Sequence, residues 1–391
     1  MIYKLASSSW DSKEIEAIHS VIESDQFSMG KKVSIYENEF SKFFNSKYAV
    51  MTSSGSTANL LMIAAMFYTN NSKICLKRGD EIIVPAVSWS TTYFPLQQYG
   101  LKVKFVDVDK KSLNFDLKKL ESAITHDTKV ILAVNLLGNS NDFDKINSLI
   151  VDKNITILED NCESLGAKFR DKHTGTFGLM GTFSSFYSHH ISTMEGGMIL
   201  TDDEEIYHIL LCLRAHGWTR NLPEKNHVTG KKSDDKFEES FKFVLPGYNV
   251  RPLEMSGAIG IEQLKKLPSF IKMRRKNAEH FCNLFSNHPF LDIQSEIGES
   301  SWFGFSLVLK DNSPIDRSKL VEIMNINDIE CRPIVTGNFL KNESVLKYFN
   351  YEIHGNVENA EYIDKNGIFV GNQQIDIKAE ISHLHSALRN V

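Results

Sequence analysis

The chain is poor in the residues that mark special architectures. Among 391 residues there are 9 prolines and 22 glycines, too few for collagen-like or low-complexity chains. Five cysteines, Cys75, Cys162, Cys212, Cys282 and Cys331, are scattered with no C-x-x-C pair. This excludes a zinc ribbon and a cysteine-rich iron–sulfur cluster, and it reads as reduced thiols of a cytoplasmic protein. No metal site is expected. Long apolar runs are missing: the stretch from Leu60 to Tyr68 is far short of a bilayer span, and the first residues carry no apolar signal segment. Long basic runs are missing too. With 44 Lys and Arg against 49 Asp and Glu the net charge is −5, a poor basis for nucleic-acid binding. Neither G-x-x-x-x-G-K-[ST] nor G-x-G-x-x-G occurs, which leaves nucleotide P-loops and dinucleotide fingerprints without support.

What is present is an alternation of helical periods and short apolar runs. Helices are expected at 11–24, around Ile35 to Phe44, and from Ser54 to Tyr68. Strands at 48–51, 81–85, 103–108, 129–136 and 155–158 alternate with helices at 90–99, 115–124 and 142–149. Continuous apolar strands separated by helices predict a mostly parallel sheet buried on both faces. Further strands are expected at 182–187 and 198–201, a helix at 204–214, and a polar surface loop at 220–240. A helix from Arg251 to Leu267 and a strand at 302–309 open a smaller α+β lobe. The reading is an α/β chain divided into a large domain, 1–250, with an N-terminal helical segment, and a small C-terminal α+β domain, 251–391.

Four local features bear on chemistry. Ser54-Gly55-Ser56-Thr57-Ala58 lies between a strand and a helix, where small residues and free N–H groups suit an anion, although an N-cap alone would look the same. Leu158-Glu159-Asp160-Asn161-Cys162-Glu163 puts carboxylates at the carboxyl end of a strand, where parallel sheets bind ligands. The segment Phe183 to Gly197 contains Ser184 and the pair His189-His190. Neighbours in extended backbone face opposite ways, which disfavours one shared metal ion. Gly247-Tyr248-Asn249-Val250-Arg251 precedes a helix and says little alone.

Taken in this order, the four resemble the nucleotide-sugar aminotransferases of the pyridoxal phosphate fold-type I superfamily, over nearly the whole chain. The resemblance implies an aspartate aminotransferase-like fold and pyridoxal 5'-phosphate, with its amine form pyridoxamine 5'-phosphate, as cofactor. It implies that Ser56, Thr57, Ala58 and Ser184 hold the phosphate, that Asp160 pairs with the pyridine nitrogen, that Trp89 stacks on the ring and that Glu163 contacts the ring hydroxyl. Asn249 would reach the cofactor phosphate of the partner in a homodimer with shared active sites.

One departure decides the expected reaction. The family has a lysine six residues before the glutamate of its E-G-G motif, and that lysine anchors the cofactor. Here the position is His189, and no lysine occurs between Lys172 and Lys225. A histidine cannot make that covalent bond, but it serves as acid and base near neutral pH. The pattern is similar to a dehydratase branch of the same family, which implies removal of a 3-hydroxyl from a GDP-4-keto-6-deoxy sugar with L-glutamate as amino donor. Phe27, Ser28, Met29, Gly30, His216, Arg220 and Glu330 are then expected around the sugar nucleotide. Two other readings stay open: an aminotransferase with a relocated lysine, Lys168 or Lys172, and a non-enzymatic sugar-nucleotide-binding regulator.

Overall fold

The computed structural model describes residues 2–389. Its centre is an eight-stranded sheet. In chain order the strands are β1 (Tyr48–Thr52), β2 (Glu81–Pro85), β3 (Lys102–Val106), β4 (Thr128–Val134), β5 (Thr156–Asp160), β6 (Met180–Ser184) and β7 (Gly197–Thr201). The eighth member, Asn350–Ile353, comes from the C-terminal part of the chain and pairs in parallel with β3 at the edge. The spatial order is β1-β7-β6-β5-β4-β2-β3 and then 350–353, with β7 alone running against the rest. Val, Ile and Leu fill these strands because helices cover both faces; every residue of β2, β6 and β7 is buried. The helix Gly55–Met66 crosses one face so deeply that nine of its residues are buried.

A second, four-stranded antiparallel sheet is built from Leu291–Ile293, Gly304–Leu309, Gly367–Gly371 and Cys331–Arg332. One long helix, Glu254–Phe285, packs against both N-terminal helices, Ser12–Glu23 and Lys31–Phe43, and against the last helix, Lys378–Leu388. The helix expected to stop at Leu267 runs on through Pro268, because its apolar face continues to be buried at Ala278, Phe281 and Phe285. The strand expected at 182–187 stops at Ser184, and the segment carrying His189 is a chain of turns and bends. The loop expected at 220–240 contains a short ribbon, 225–226 with 230–231, and a helical turn, Lys236–Glu239. No helix among the described residues is long and apolar enough to cross a membrane.

Candidate active site

The two carboxylates at the end of β5 do different work because successive strand residues face opposite ways. Glu159 points into the protein and is fully buried. It accepts the N–H groups of Gly175 (2.6 Å), Gly178 (2.8 Å) and Phe177 and the amide of Asn135 (3.1 Å). Burial pushes its pKa up while those donors oppose the shift. Its role is to tie the 174–178 turn to the strand. Asp160 faces a cavity of about 300 Å³ at the carboxyl end of the sheet. One of its oxygens accepts from Asn59 Nδ2 (2.8 Å) and Thr92 Oγ1 (2.7 Å), the other from the N–H of Cys162 (3.2 Å). Thr182 donates to Asn59 Oδ1 (2.6 Å), which fixes the amide with its NH2 toward Asp160. The result is an acceptor-only group held rigidly at the cavity floor.

The wall beside it is the start of the helix Gly55–Met66. Ser54 and Thr57 cap each other, and the N–H groups of Gly55 and Ser56 come before the first intrahelical bond, so they are free for an anion. A side chain at position 55 would put a Cβ 2.7 Å from Ser184 Cβ and 3.0 Å from Cys162 Sγ, so only glycine leaves this cradle open. Ser56 and Ser184 line it. Thr57 spends its hydroxyl on the cap, and Ala58 is buried with its N–H bonded to Ser54 O (3.0 Å). Trp89, half exposed, lines the cavity just before the helix Ser90–Gln98.

His189 lies across the cavity. Its Nδ1 is 2.8 Å from the carbonyl of Cys162. A carbonyl only accepts, so Nδ1 carries the proton and Nε2 keeps its lone pair. The ring packs edge-on against Phe303 at 5.0 Å and Phe186 at 6.1 Å. This enclosure pushes its pKa down to about 4; the Cys162 carbonyl opposes, and the charges of Arg332 and Arg274 add to the fall. His189 is therefore a neutral base at pH 7. His190 turns away, is fully buried and reaches Ser301 O at 3.2 Å. The two rings bond to different carbonyls but both pack on Phe303, at 5.0 and 5.7 Å, and the segment is a turn and not the strand expected. The segment is clamped three residues on, where Trp10 Nε1 donates to Ser192 O (2.9 Å) and Ser192 N donates to Gln263 Oε1 (3.0 Å).

Ser56, Trp89, Asp160, Glu163, Ser184 and His189 thus share one cavity. The other expected residues lie outside its lining. Asn249 is exposed and bonded to Arg251 Nε (3.0 Å). His216 sits at a positive φ of 61° with its ring 4.9 Å from that of Trp218, over which Arg220 also lies at 4.5 Å. The Phe27–Gly30 segment leads into the second helix, where Glu254 accepts from the Gly30 N–H at 2.7 Å. Glu330 is tied to the N-terminal segment through the N–H of Leu5 (2.8 Å). Cavity residues to which the sequence gives no role include Asn59, Ser188 and Arg332. A lone asparagine in an otherwise apolar helix was the available signal for the first.

A model of the DegT/DnrJ/EryC1/StrS aminotransferase family matches residues 8–373. The chain belongs to this family. Within it, the chain is similar to the GDP-4-keto-6-deoxy-D-mannose 3-dehydratase of Yersinia pseudotuberculosis, 69% identical over 387 residues, covering 99% of this chain and 98% of the relative. The solved structure of the E. coli GDP-4-keto-6-deoxy-D-mannose-3-dehydratase with bound hydrated PLP is 69% identical, covers 100% of both chains and superposes with a TM-score of 0.98. A structure of GDP-4-keto-6-deoxymannose-3-dehydratase with a trapped PLP-glutamate geminal diamine is 68% identical over 99% of this chain and 100% of that one, again at 0.98. The family's cofactor is compatible with the residues present: the open cradle at Gly55 suits a phosphate, and Asp160, which can only accept, suits a protonated ring nitrogen.

Proposed function

We propose that this protein removes the 3-hydroxyl of GDP-4-keto-6-deoxy-D-mannose, with pyridoxal 5'-phosphate and its amine form as cofactor and L-glutamate as amino donor. The products are GDP-4-keto-3,6-dideoxymannose, 2-oxoglutarate and ammonia. The balance closes: oxidation of glutamate to the keto acid supplies the two electrons that replace C–OH by C–H. When bound, the amine form of the cofactor supplies the nitrogen that engages the C4 ketone and a ring that withdraws electrons.

The chain's own residues do the rest. Gly55 and Ser56 N–H groups, with the hydroxyls of Ser56 and Ser184, hold the phosphate. Asp160 keeps the ring nitrogen protonated, Glu163 meets the ring hydroxyl and Trp89 limits the ring's tilt. Nε2 of His189 accepts a proton beside the reacting carbons, and the imidazolium then gives it to the hydroxyl leaving carbon 3. The carrying observation is His189 itself: an imidazole fixed by the Cys162 carbonyl lines the cavity, at the sequence position to which the resemblance assigns the aminotransferases' anchoring lysine.

In the same reading residues 1–250 carry the cofactor, and 251–391, apart from the strand 350–353 that joins the large sheet, form the smaller lobe. Phe27 to Gly30, His216, Arg220 and Glu330 contact the sugar nucleotide. The protein works in the cytoplasm, in keeping with its five free thiols, as a homodimer with shared sites. Support for the dimer comes from Asn249, which is exposed and lies off its own cavity, and from Phe27 and Leu253, exposed on two segments joined by the Ser28–Leu253 bridge. Incubation with cofactor, L-glutamate and the GDP-keto sugar, followed by mass analysis, tests the reaction. A 3-deoxy keto product with one equivalent of ammonia is expected. A 4-amino sugar would mean an aminotransferase, and recovered substrate a binding protein.

A further inference from the structure

The geometry points to Arg274 as a positioning residue for the catalytic base: it fixes the segment 301–303 and, through Phe303, the imidazole of His189. That His189 is the base rests on the dehydratase reading; what holds its ring does not. Arg274 lies on the long helix Glu254–Phe285 and is 2% exposed. Its Nη1 donates to the carbonyls of Asn372 (2.7 Å) and Phe303 (3.0 Å) and lies 3.5 Å from that of Trp302. Asn372 closes the arrangement, since its Nδ2 donates to Arg274 O (3.0 Å) and Trp302 O (2.9 Å). The segment needs such an anchor. Trp302 sits at a positive φ of 48°, strained for a bulky side chain, just before the strand Gly304–Leu309 begins. On its other side the segment meets the cavity wall. Ser301 N donates to Gly138 O (2.9 Å) and Phe303 N to Leu137 O (3.1 Å), and Leu137 N donates in turn to Glu163 (3.2 Å). The Phe303 ring then packs on both imidazoles, and Ser301 O lies 3.2 Å from His190 Nε2.

Neutral donors would satisfy these carbonyls, so the charge of Arg274 asks for its own reason. A buried guanidinium without a carboxylate is costly, because neither water nor a counter-ion offsets its desolvation. The arginines in ion pairs among the described residues are Arg170, Arg214 and Arg275, and Arg274 Nε is buried with no partner. Burial lowers its pKa to about 9, which leaves it charged at neutral pH. Its charge bears on His189 and His190 alike: burial does most to keep each ring neutral, and Arg274 acts in the same direction. Of the other groups about His189, Arg332 also disfavours the imidazolium, and the Cys162 thiol is kept neutral by burial. The carboxylates of Asp160, Glu163 and Glu195 in the cavity lining favour it. Arg274 thus sets a fixed positive charge behind Phe303, outside the lining, against those carboxylates. Nε2 of His189 stays free to accept a proton, and the imidazolium, once formed, gives it up readily to the leaving hydroxyl.

The test is an NMR titration of cofactor-loaded protein labelled with heavy nitrogen in its histidine rings, the His189 signal being the one missing in His189→Asn. In the unaltered protein this ring should stay unprotonated down to about pH 5. In Arg274→Met its midpoint should rise by about 1 pH unit or more, and Arg274→Lys, which keeps a cation and a donor, should undo most of that rise. Phe303→Leu should move the midpoint in the same direction. Adding Arg274→Met to Phe303→Leu should then move it less than Arg274→Met does alone, because the two act through one contact. The acidic limb of single-turnover dehydration should move with the midpoint while cofactor affinity changes little. An unchanged midpoint in folded Arg274→Met overturns the proposal, even where rate and cofactor affinity fall, since that is the mark of a merely structural role. Circular dichroism reports folding. If Arg274→Met does not fold, Phe303→Leu decides, and an unshifted midpoint there overturns the proposal. Because the titration needs no turnover, it separates failure of this proposal from failure of the dehydratase reading.

Discussion

The imidazole of His189 is neutral because enclosure by Phe303, Phe186 and the Cys162 turn makes its charged form expensive. The sign of the pH dependence follows. With the value lowered from 6.5 to about 4, the base form is fully populated at neutral pH and is lost only on acidification through that lower value. Single-turnover dehydration by the cofactor-loaded enzyme is expected to be level from about pH 8 to about pH 5 and to fall below that. An inflection near the ordinary histidine value would place the base elsewhere. At this scale the motifs were informative where residue order carried the chemistry. The family resemblance, carried by the 54–58 turn, the 158–163 strand end and the spacing to Glu195, implies Ser56, Ser184, Asp160, Glu163 and His189 as site residues, and these share the cavity. Arg332 has no role legible in the sequence, since only the pairing of Cys331–Arg332 with the strand carrying Phe369 brings it to the cavity. Asn59 was missed because its meaning lies in Asp160, a residue far away in sequence.

Elements, more than single side chains, set the positions of these groups. The helix Gly55–Met66 presents its free N–H groups because Gly55 lacks a side chain at a point where Ser184 and Cys162 are already in contact distance. Gly55→Ala should keep the fold, since alanine is an excellent helix residue, and should weaken cofactor binding by about tenfold or more, measured by titration of the cofactor absorbance. The turn after β6 depends on a clamp from two distant elements. Gln263 is fully buried and accepts from Ser192 N and Ser9 Oγ while donating to Glu14. Gln263→Leu leaves those groups unpaired, so a loss of about 1–3 kcal/mol in chemical denaturation is expected, together with a fall in kcat that exceeds any change in cofactor affinity. Periodicity located most helices and sheet strands to within two or three residues. It failed where burial overrode local signals, at Pro268 inside the long helix, and where aromatic residues mimicked a strand, at Phe186 and Tyr187, which are exposed.

For the whole molecule, the mostly parallel character of the sheet follows from the alternation of apolar strands and helices, while its strand order and the reversal at β7 were not legible in the sequence. The edge strand 350–353 was not legible, because Asn350-Tyr351-Glu352-Ile353 is mostly exposed and lacks the apolar run of its neighbours. If two copies share their sites, mixing inactive His189→Asn protein with inactive Asn249→Ala protein should restore activity, because hybrid dimers hold one intact site; no recovery would mean that each chain works alone. The account as a whole turns on His189, and the most direct measurement is the product mixture from His189→Asn supplied with cofactor, L-glutamate and GDP-4-keto-6-deoxy-D-mannose. The expected result is a protein that still binds the cofactor with nearly its original affinity but releases ammonia and the 3-deoxy sugar at least about a hundredfold more slowly. A variant that loses no dehydration, or that loses it only because the cofactor no longer binds, would contradict the assignment of this imidazole as the acid and base of the reaction.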